Sequence, residues 1–179
     1  MALDHIEGAT EPWVQELLTT LLRALCRRQP TVLECGGFLG HTSVALADVM
    51  ERYLDGGSLM IAEWDPDAPE RADAVDARLA ALNLTQTSWR VVRSDALTVI
   101  ASLPDNSVDF AYLDDDHTKP HVRAEIEALI PKMKAGGLIC GHDVHGRCDL
   151  QTVFREFGGI ALDLPRLGPA GGLGIIQCP

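Results

Sequence analysis

The stretch ECGGFLGHTS, residues 34–43, sits between two different periodicities. Before it, Thr31 to Cys35 is a short apolar run of strand type; after Gly40, Leu46, Val49, Met50 and Tyr53 recur at helical spacing up to Leu54. Strand, glycine turn and helix therefore follow in direct succession. Small residues at such a junction let backbone amides approach a ligand and let the helix N-terminus face it, although a tight packing turn would use the same residues. A dinucleotide fingerprint would read G-x-G-x-x-G, yet Cys35 holds its first position and only Gly37 and Gly40 fit. The stretch reads instead acidic-x-Gly-x-x-x-Gly, from Glu34, Gly36 and Gly40.

The same alternation continues outward. Residues 12–27 carry a helical stripe (Trp13, Leu17, Leu21, Leu25) that closes at Arg27, Arg28 and Pro30. Downstream, Ser58 to Glu63 is a strand, and Asp67 can cap a helix with Pro69 in its first turn that runs to about Leu82. Trp89 to Arg93 and Val108 to Leu113 are further strands, separated by a short helix from Ala96 to Ser102 that Pro104 stops. Pro120 to Met133 is an amphipathic helix, and Leu138 to Gly141 is a fifth strand. A last helix carries Leu150, Val153, Phe154 and Phe157, and strand-like segments at Ile160 to Leu164 and Leu173 to Gln177 close the chain. Five strand-helix alternations call for a parallel sheet, because a parallel crossover needs a helix-length connection, so the expected class is α/β, one domain over residues 1–179 with a leading helix in residues 1–30. Ligands in such sheets sit at the carboxyl ends of the strands.

Composition narrows the function. The formal charge is −11 and no basic run exceeds the pair Arg27-Arg28, which disfavours nucleic acid as a partner. No apolar run nears the ~20 residues of a membrane span, and MALDHIEGAT lacks the basic and apolar regions of a leader, so a cytoplasmic location is expected. The five cysteines are odd in number and form no C-x-x-C pair, so reduced thiols are expected.

Four further motifs fall at strand ends. In MIAEWDPD, the carboxylate of Glu63 could offer two acceptors to a vicinal diol or could simply be a solvated loop acid, and Asp65 could cap the next helix. In VVRSDAL, Asp95 could cap the short helix, bind a ligand, or do both. VDFAYLDDDHTKPHV carries three consecutive acids, Asp114, Asp115 and Asp116, which either relieve their repulsion through water or make a pocket that favours a cation. AGGLICGHDV leads into ICGHDVHGRC, residues 139–148, with two cysteines, two histidines and an aspartate. Its spacing matches no zinc-finger pattern, so Cys140 reads as a buried strand thiol, His142 and Asp143 as the end of that strand, and His145 and Cys148 as the loop beyond.

Over nearly its whole length the chain resembles the class I S-adenosylmethionine-dependent methyltransferases. Within them it is most similar to the small metal-assisted O-methyltransferases of the catechol type and the group with the pattern "IDGDH…GGxIxGHD". The resemblance implies a Rossmann-like, mostly parallel seven-stranded sheet with an antiparallel C-terminal strand and helices on both faces. It implies S-adenosyl-L-methionine as cofactor, bound by Glu34, Gly36, Gly37, Gly40, Glu63, Trp64, Asp95, Ala96 and Asp114. It implies a divalent cation (Mg²⁺, Mn²⁺ or Zn²⁺) at Asp114, His142 and Asp143, with His142 standing where catechol-type relatives have an aspartate. His117 stands where those relatives carry a lysine base, and an imidazole with pKa near ~6.5 suits that role at neutral pH; a capping or solvated His117 is the rival reading. The expected reaction is O-methylation of a small-molecule hydroxyl, with Asp114 and His117 as catalytic residues.

Two other function classes stay open on sequence grounds. One is another enzyme of the same fold, an aminopropyltransferase or a nicotinamide-dependent reductase; the other is a cofactor-binding partner or degenerate relative without turnover. The usual lid regions are short, so the acceptor pocket is either open or covered by a second subunit. Apolar residues around Trp13 and in LGPAGGLGII suit either a homodimer face or core packing.

Overall fold

The computed structural model describes residues 10–145, 149–162 and 171–179. Seven strands form one sheet: β1 (Thr31–Cys35), β2 (Gly57–Ala62), β3 (Thr87–Val92), β4 (Val108–Leu113), β5 (Met133–His142), β6 (Ile160–Leu162) and β7 (Leu173–Gln177). Their order is β3-β2-β1-β4-β5-β7-β6, with β1 to β5 mutually parallel and β7 antiparallel to both neighbours. The helices are α1 (Pro12–Ala24), α2 (His41–Tyr53), α3 (Glu70–Ala80), α4 (Ala96–Ser102), α5 (Lys119–Leu129) and α6 (Gln151–Glu156). This is the mostly parallel Rossmann-like sheet that the sequence implied, with its chain reversal between β1 and β4.

β4 shows why the sheet is double-sided. All six of its residues are buried. Phe110 and Tyr112 point into the layer made with α1, α2 and α3, where Leu18, Leu46, Met50 and Leu79 pack; Ala111 and Leu113 point into the layer made with α4, α5 and α6, where Ile100, Ile126 and Phe154 pack. Alternate residues thus serve opposite cores, which is the two-residue period of a strand covered on both faces. Phe154 lies against Gly141 of β5 and Gly174 of β7, where an added Cβ would come within 2.3 and 2.5 Å of its ring.

Several boundaries differ from the sequence reading. α1 ends at Ala24 rather than continuing to residue 27, and Cys26 adopts a left-handed φ of 51°. Asp67 does not cap α3: its N–H donates to Asp65 Oδ1 at 2.9 Å, and Pro69 stands at the N-cap position without a side-chain bond. α5 stops at Leu129, after which Ile130–Lys132, containing Pro131, form one 3₁₀ turn. β5 begins at Met133, five residues before the expected start, with a register shift against β4 and a left-handed Gly136. Cys148, the end of the segment Ile160 to Leu164 and most of LGPAGG lie outside the described residues. Trp13 packs against the core rather than standing clear of it. The four described cysteines are free, and no described helix is long and apolar enough to cross a membrane.

Candidate active site

The carboxyl ends of β1 to β5 open onto one cavity of about 630 Å³. Residues just past the strand ends line it: Gly36 after β1, Glu63 and Trp64 after β2, Asp114 after β4, and Asp95 and Ala96 three and four positions beyond β3. His142 closes β5, and Asp143 follows it. Parallel strands all end on the same side, so a sheet of this order gathers residues that lie far apart in sequence.

The glycine turn shapes this cavity in two ways. Gly36 has φ +88°, and a Cβ there would stand 2.3 Å from the carbonyl oxygen of Asp114; the turn passes that close to the end of β4 because no side chain intervenes. Glu34, Gly37 and Gly40 do not line the cavity. Glu34 is fully buried behind the turn and accepts a hydrogen bond from Ser43 Oγ at 2.5 Å, which ties β1 to the first turn of α2. Burial, only partly opposed by that bond, raises its pKa to about 8. Gly37 packs under Ile61 and Val75, and Gly40 is the left-handed residue before α2.

On one side of the cavity Glu63 is almost wholly buried and accepts the Phe38 N–H at 2.6 Å. Burial raises its pKa, against lowering by that bond and by Arg71. Trp64 is 58% exposed at the rim. Asp95 both lines the cavity and caps α4, its Oδ1 accepting the Thr98 N–H at 2.9 Å, so the two sequence readings of this residue coincide.

The opposite side is built around Asp114. Its Oδ2 accepts from Thr10 Oγ1 at 2.8 Å and from Tyr112 OH at 3.1 Å; its Oδ1 faces His142 Nδ1 at 2.9 Å and His117 Nε2 at 3.3 Å. Burial alone would raise the Asp114 pKa, but the His117 and His142 hydrogen bonds outweigh it and hold the carboxyl at about 2. The reciprocal effect appears on the rings. Burial lowers both histidines, yet bonds to Asp114 raise His117, and bonds to Asp114 and Glu11 raise His142 to about 10. Asp143, with a left-handed φ of 51°, stands at the edge, 3.7 Å from each ring nitrogen it faces. The ligand atoms of Asp114, His117 and His142 lie within 4.8 Å of one another. The sequence reading grouped Asp143 with Asp114 and His142; in the structure His117 lies at least as close.

Residues the sequence did not single out complete the site. Glu11 Oε2 lies 2.8 Å from His142 Nε2, and Thr42 Oγ1 donates to Thr10 Oγ1 at 3.0 Å. The segment leading into α1 thus covers part of the cavity. In sequence, nothing but the N1 proline of α1 marks that segment. Cys140 is buried inside β5 and belongs to neither ligand cluster among the described residues.

A family model described as a methyltransferase domain matches residues 33–144, from β1 to just past β5. No curated protein matches the chain. Among solved structures, cofactor-bound Rv0187 from MTB superposes with a TM-score of 0.75 at 19% identity, over 96% of this chain and 82% of that one. The O-methyltransferase TomG from Streptomyces achromogenes, involved in tomaymycin synthesis and solved in complex with S-adenosylmethionine, gives 0.69 at 20% identity over 98% and 84%. An S-adenosylmethionine-dependent O-methyltransferase from Thermotoga maritima gives 0.67 at 13% identity over 96% and 68%. These likenesses establish a shared fold.

Proposed function

The chain belongs to the methyltransferase-domain family, and from that premise we propose that it methylates a hydroxyl oxygen of a small-molecule acceptor with S-adenosyl-L-methionine. The carrying observation is one cavity with two chemically distinct sides, the carboxylates of Glu63 and Asp95 with an exposed indole on the first and an ionised Asp114 between two imidazoles on the second. TomG and the Thermotoga maritima enzyme are O-methyltransferases, which supports the same chemistry. When bound, S-adenosyl-L-methionine supplies a methyl carbon activated by its sulfonium.

In this reading Glu63 accepts the hydroxyls of the ribose, Trp64 borders the sugar, and Asp95 with Ala96 faces the base. Gly36 brings the main chain against the ligand, while Glu34, Gly37 and Gly40 hold the turn in shape. Asp114 accepts the Nε2–H of His117 at 3.3 Å and so orients the ring, leaving Nδ1 as the nitrogen that takes the acceptor's proton. The protein's largest contribution is alignment of the reacting atoms, worth about 7–11 kcal/mol in favourable cases.

A divalent cation belongs to the same reading, and the donor set fits one. Two carboxylates and an imidazole from Asp114, Asp143 and His142 accept Mg²⁺, Mn²⁺ or Zn²⁺, and a cation held there would lower the pKa of the acceptor hydroxyl. A ligating imidazole is neutral, so the cation competes with the proton that Asp114 and Glu11 hold on His142. The charge of −11 accords with a cytoplasmic enzyme without a nucleic-acid partner.

Calorimetric titration of the whole chain with S-adenosyl-L-methionine and separately with NADH tests the cofactor. A methyl-transfer screen over catechols and vicinal diols, with and without chelator, tests the reaction. Binding of NADH in preference to S-adenosyl-L-methionine would sink the reading; transfer insensitive to chelator would remove the cation from it.

A further inference from the structure

We infer that Asp115, His121 and Glu125 form a second site, for a divalent transition-metal cation such as Zn²⁺, separate from the group around Asp114. The three ligand atoms lie within 4.8 Å of one another. His121 and Glu125 are four residues apart on α5 and so share one helix face, while Asp115 reaches them from the loop after β4. His121 Nε2 is 3.1 Å from Asp115 Oδ2 and 3.8 Å from Glu125 Oε1. Ligands about 2.0–2.2 Å from one ion stand about 3 to 3.6 Å apart, so small side-chain shifts bring all three onto a single cation.

The independent sign of a ligand is Glu125 itself. Its side chain is fully buried and neither carboxylate oxygen has a hydrogen bond of good geometry; the buried Cys35 thiol, a weak donor, is the neighbour that eases its charge. The charges that act on it include Asp115 and Asp116, both negative. A buried carboxylate with no better donor than a thiol is costly, and a cation between it, Asp115 and His121 removes that cost. His121 is also oriented for ligation: Nε2 faces the two proposed ligand oxygens, while Nδ1 faces Asp116 Oδ2 at 4.0 Å. A cation here would pin the 114–118 loop to α5 and fix the wall of the cavity that Asp115 and His121 share with Asp95. The inference does not depend on which reaction the cavity performs.

The test is equilibrium dialysis of the whole chain against Zn²⁺, in a His142→Gln background that weakens the other cluster by one imidazole, with bound zinc measured by elemental analysis. One zinc per chain is expected to remain, and adding Glu125→Gln or His121→Asn is expected to weaken its binding more than about tenfold. Long-range imidazole ¹⁵N spectra should show zinc shifting Nε2 of His121. If neither added substitution changes zinc uptake, or the background binds none, Glu125 is only a protonated acid beside an ordinary His121–Asp115 pair and the site does not exist. Glu125→Gln preserves shape; should it nevertheless fail to fold, His121→Asn and the spectra of the parent decide alone.

Discussion

His142 Nδ1 lies 2.9 Å from Asp114 Oδ1, and the ring's other nitrogen lies 2.8 Å from Glu11 Oε2, so one imidazolium joins the ends of β4 and β5 to the start of α1. Asp114→Asn should therefore act on stability as well as on transfer. Breaking a largely buried pair from one side costs about 3–5 kcal/mol, at the lower end here because Asp114 is partly exposed. The His142 pKa, held at about 10, should fall toward the ordinary value, read by NMR titration. A variant with unaltered denaturation midpoint and an unmoved His142 would contradict this account.

Two glycines with left-handed backbones separate conformational strain from steric exclusion. Gly158 has φ +76° with nothing within 4 Å of an added Cβ, so Gly158→Ala should cost only about 1–2 kcal/mol. Gly36→Ala adds a collision with the Asp114 carbonyl and should cost clearly more, about 3 kcal/mol or above, with loss of cofactor binding. Urea denaturation of both variants and calorimetry on Gly36→Ala provide the comparison; equal costs would mean that the turn relaxes freely.

The parts of this molecule written in local sequence were legible, and those written in distant contacts were not. β4 could be read from Val108 to Leu113 because an unbroken apolar run fits a strand covered on both faces. The turn at Glu34 to Gly40 could be read because glycine spacing reports backbone geometry directly. Asp67 was misread because Asp and Pro near a helix start resemble a cap, whereas here the preceding Asp65 captures the Asp67 N–H and makes a turn of its own. The early start of β5 was hidden by Gly136 and Gly137, which signal a break but here carry an irregular pairing with β4. Glu11 could not be found at all: its partner His142 is 131 positions away, and no local pattern records such a contact.

Glu34 should leave a mark on stability as a function of pH. Its folded pKa of about 8 exceeds the ordinary glutamate value of 4.5, so between these values the folded chain keeps a proton that the unfolded chain has released. Its contribution is then fully present below 4.5 and declines as pH rises toward 8, with a slope of about 1.4 kcal/mol per pH unit for one proton. Glu125, raised to about 9 by burial, adds a slope of the same sign. In the interval between pH 5 and 6.5, where the histidines contribute equally to parent and variant, Glu34→Gln should reduce the downward slope by one proton's worth. Chemical denaturation at a series of pH values measures it, and an unchanged slope would show that Glu34 ionises normally in the folded chain.

His117 is tested best by the shape of a rate profile. Burial lowers its pKa, but hydrogen bonding to Asp114 more than compensates, so it titrates above 6.5. A base must be deprotonated to act; methyl transfer should therefore climb as pH passes through that raised value and level off above it. His117→Gln keeps a polar side chain but cannot take a proton, so it should slow transfer by about 10²–10⁴-fold and abolish the rising limb. Its affinity for S-adenosyl-L-methionine should stay near that of the parent, because the ring lies on the Asp114 side of the cavity, away from Glu63. A His117→Gln enzyme with the parental profile would remove this residue from the chemistry and leave the proton to bulk water.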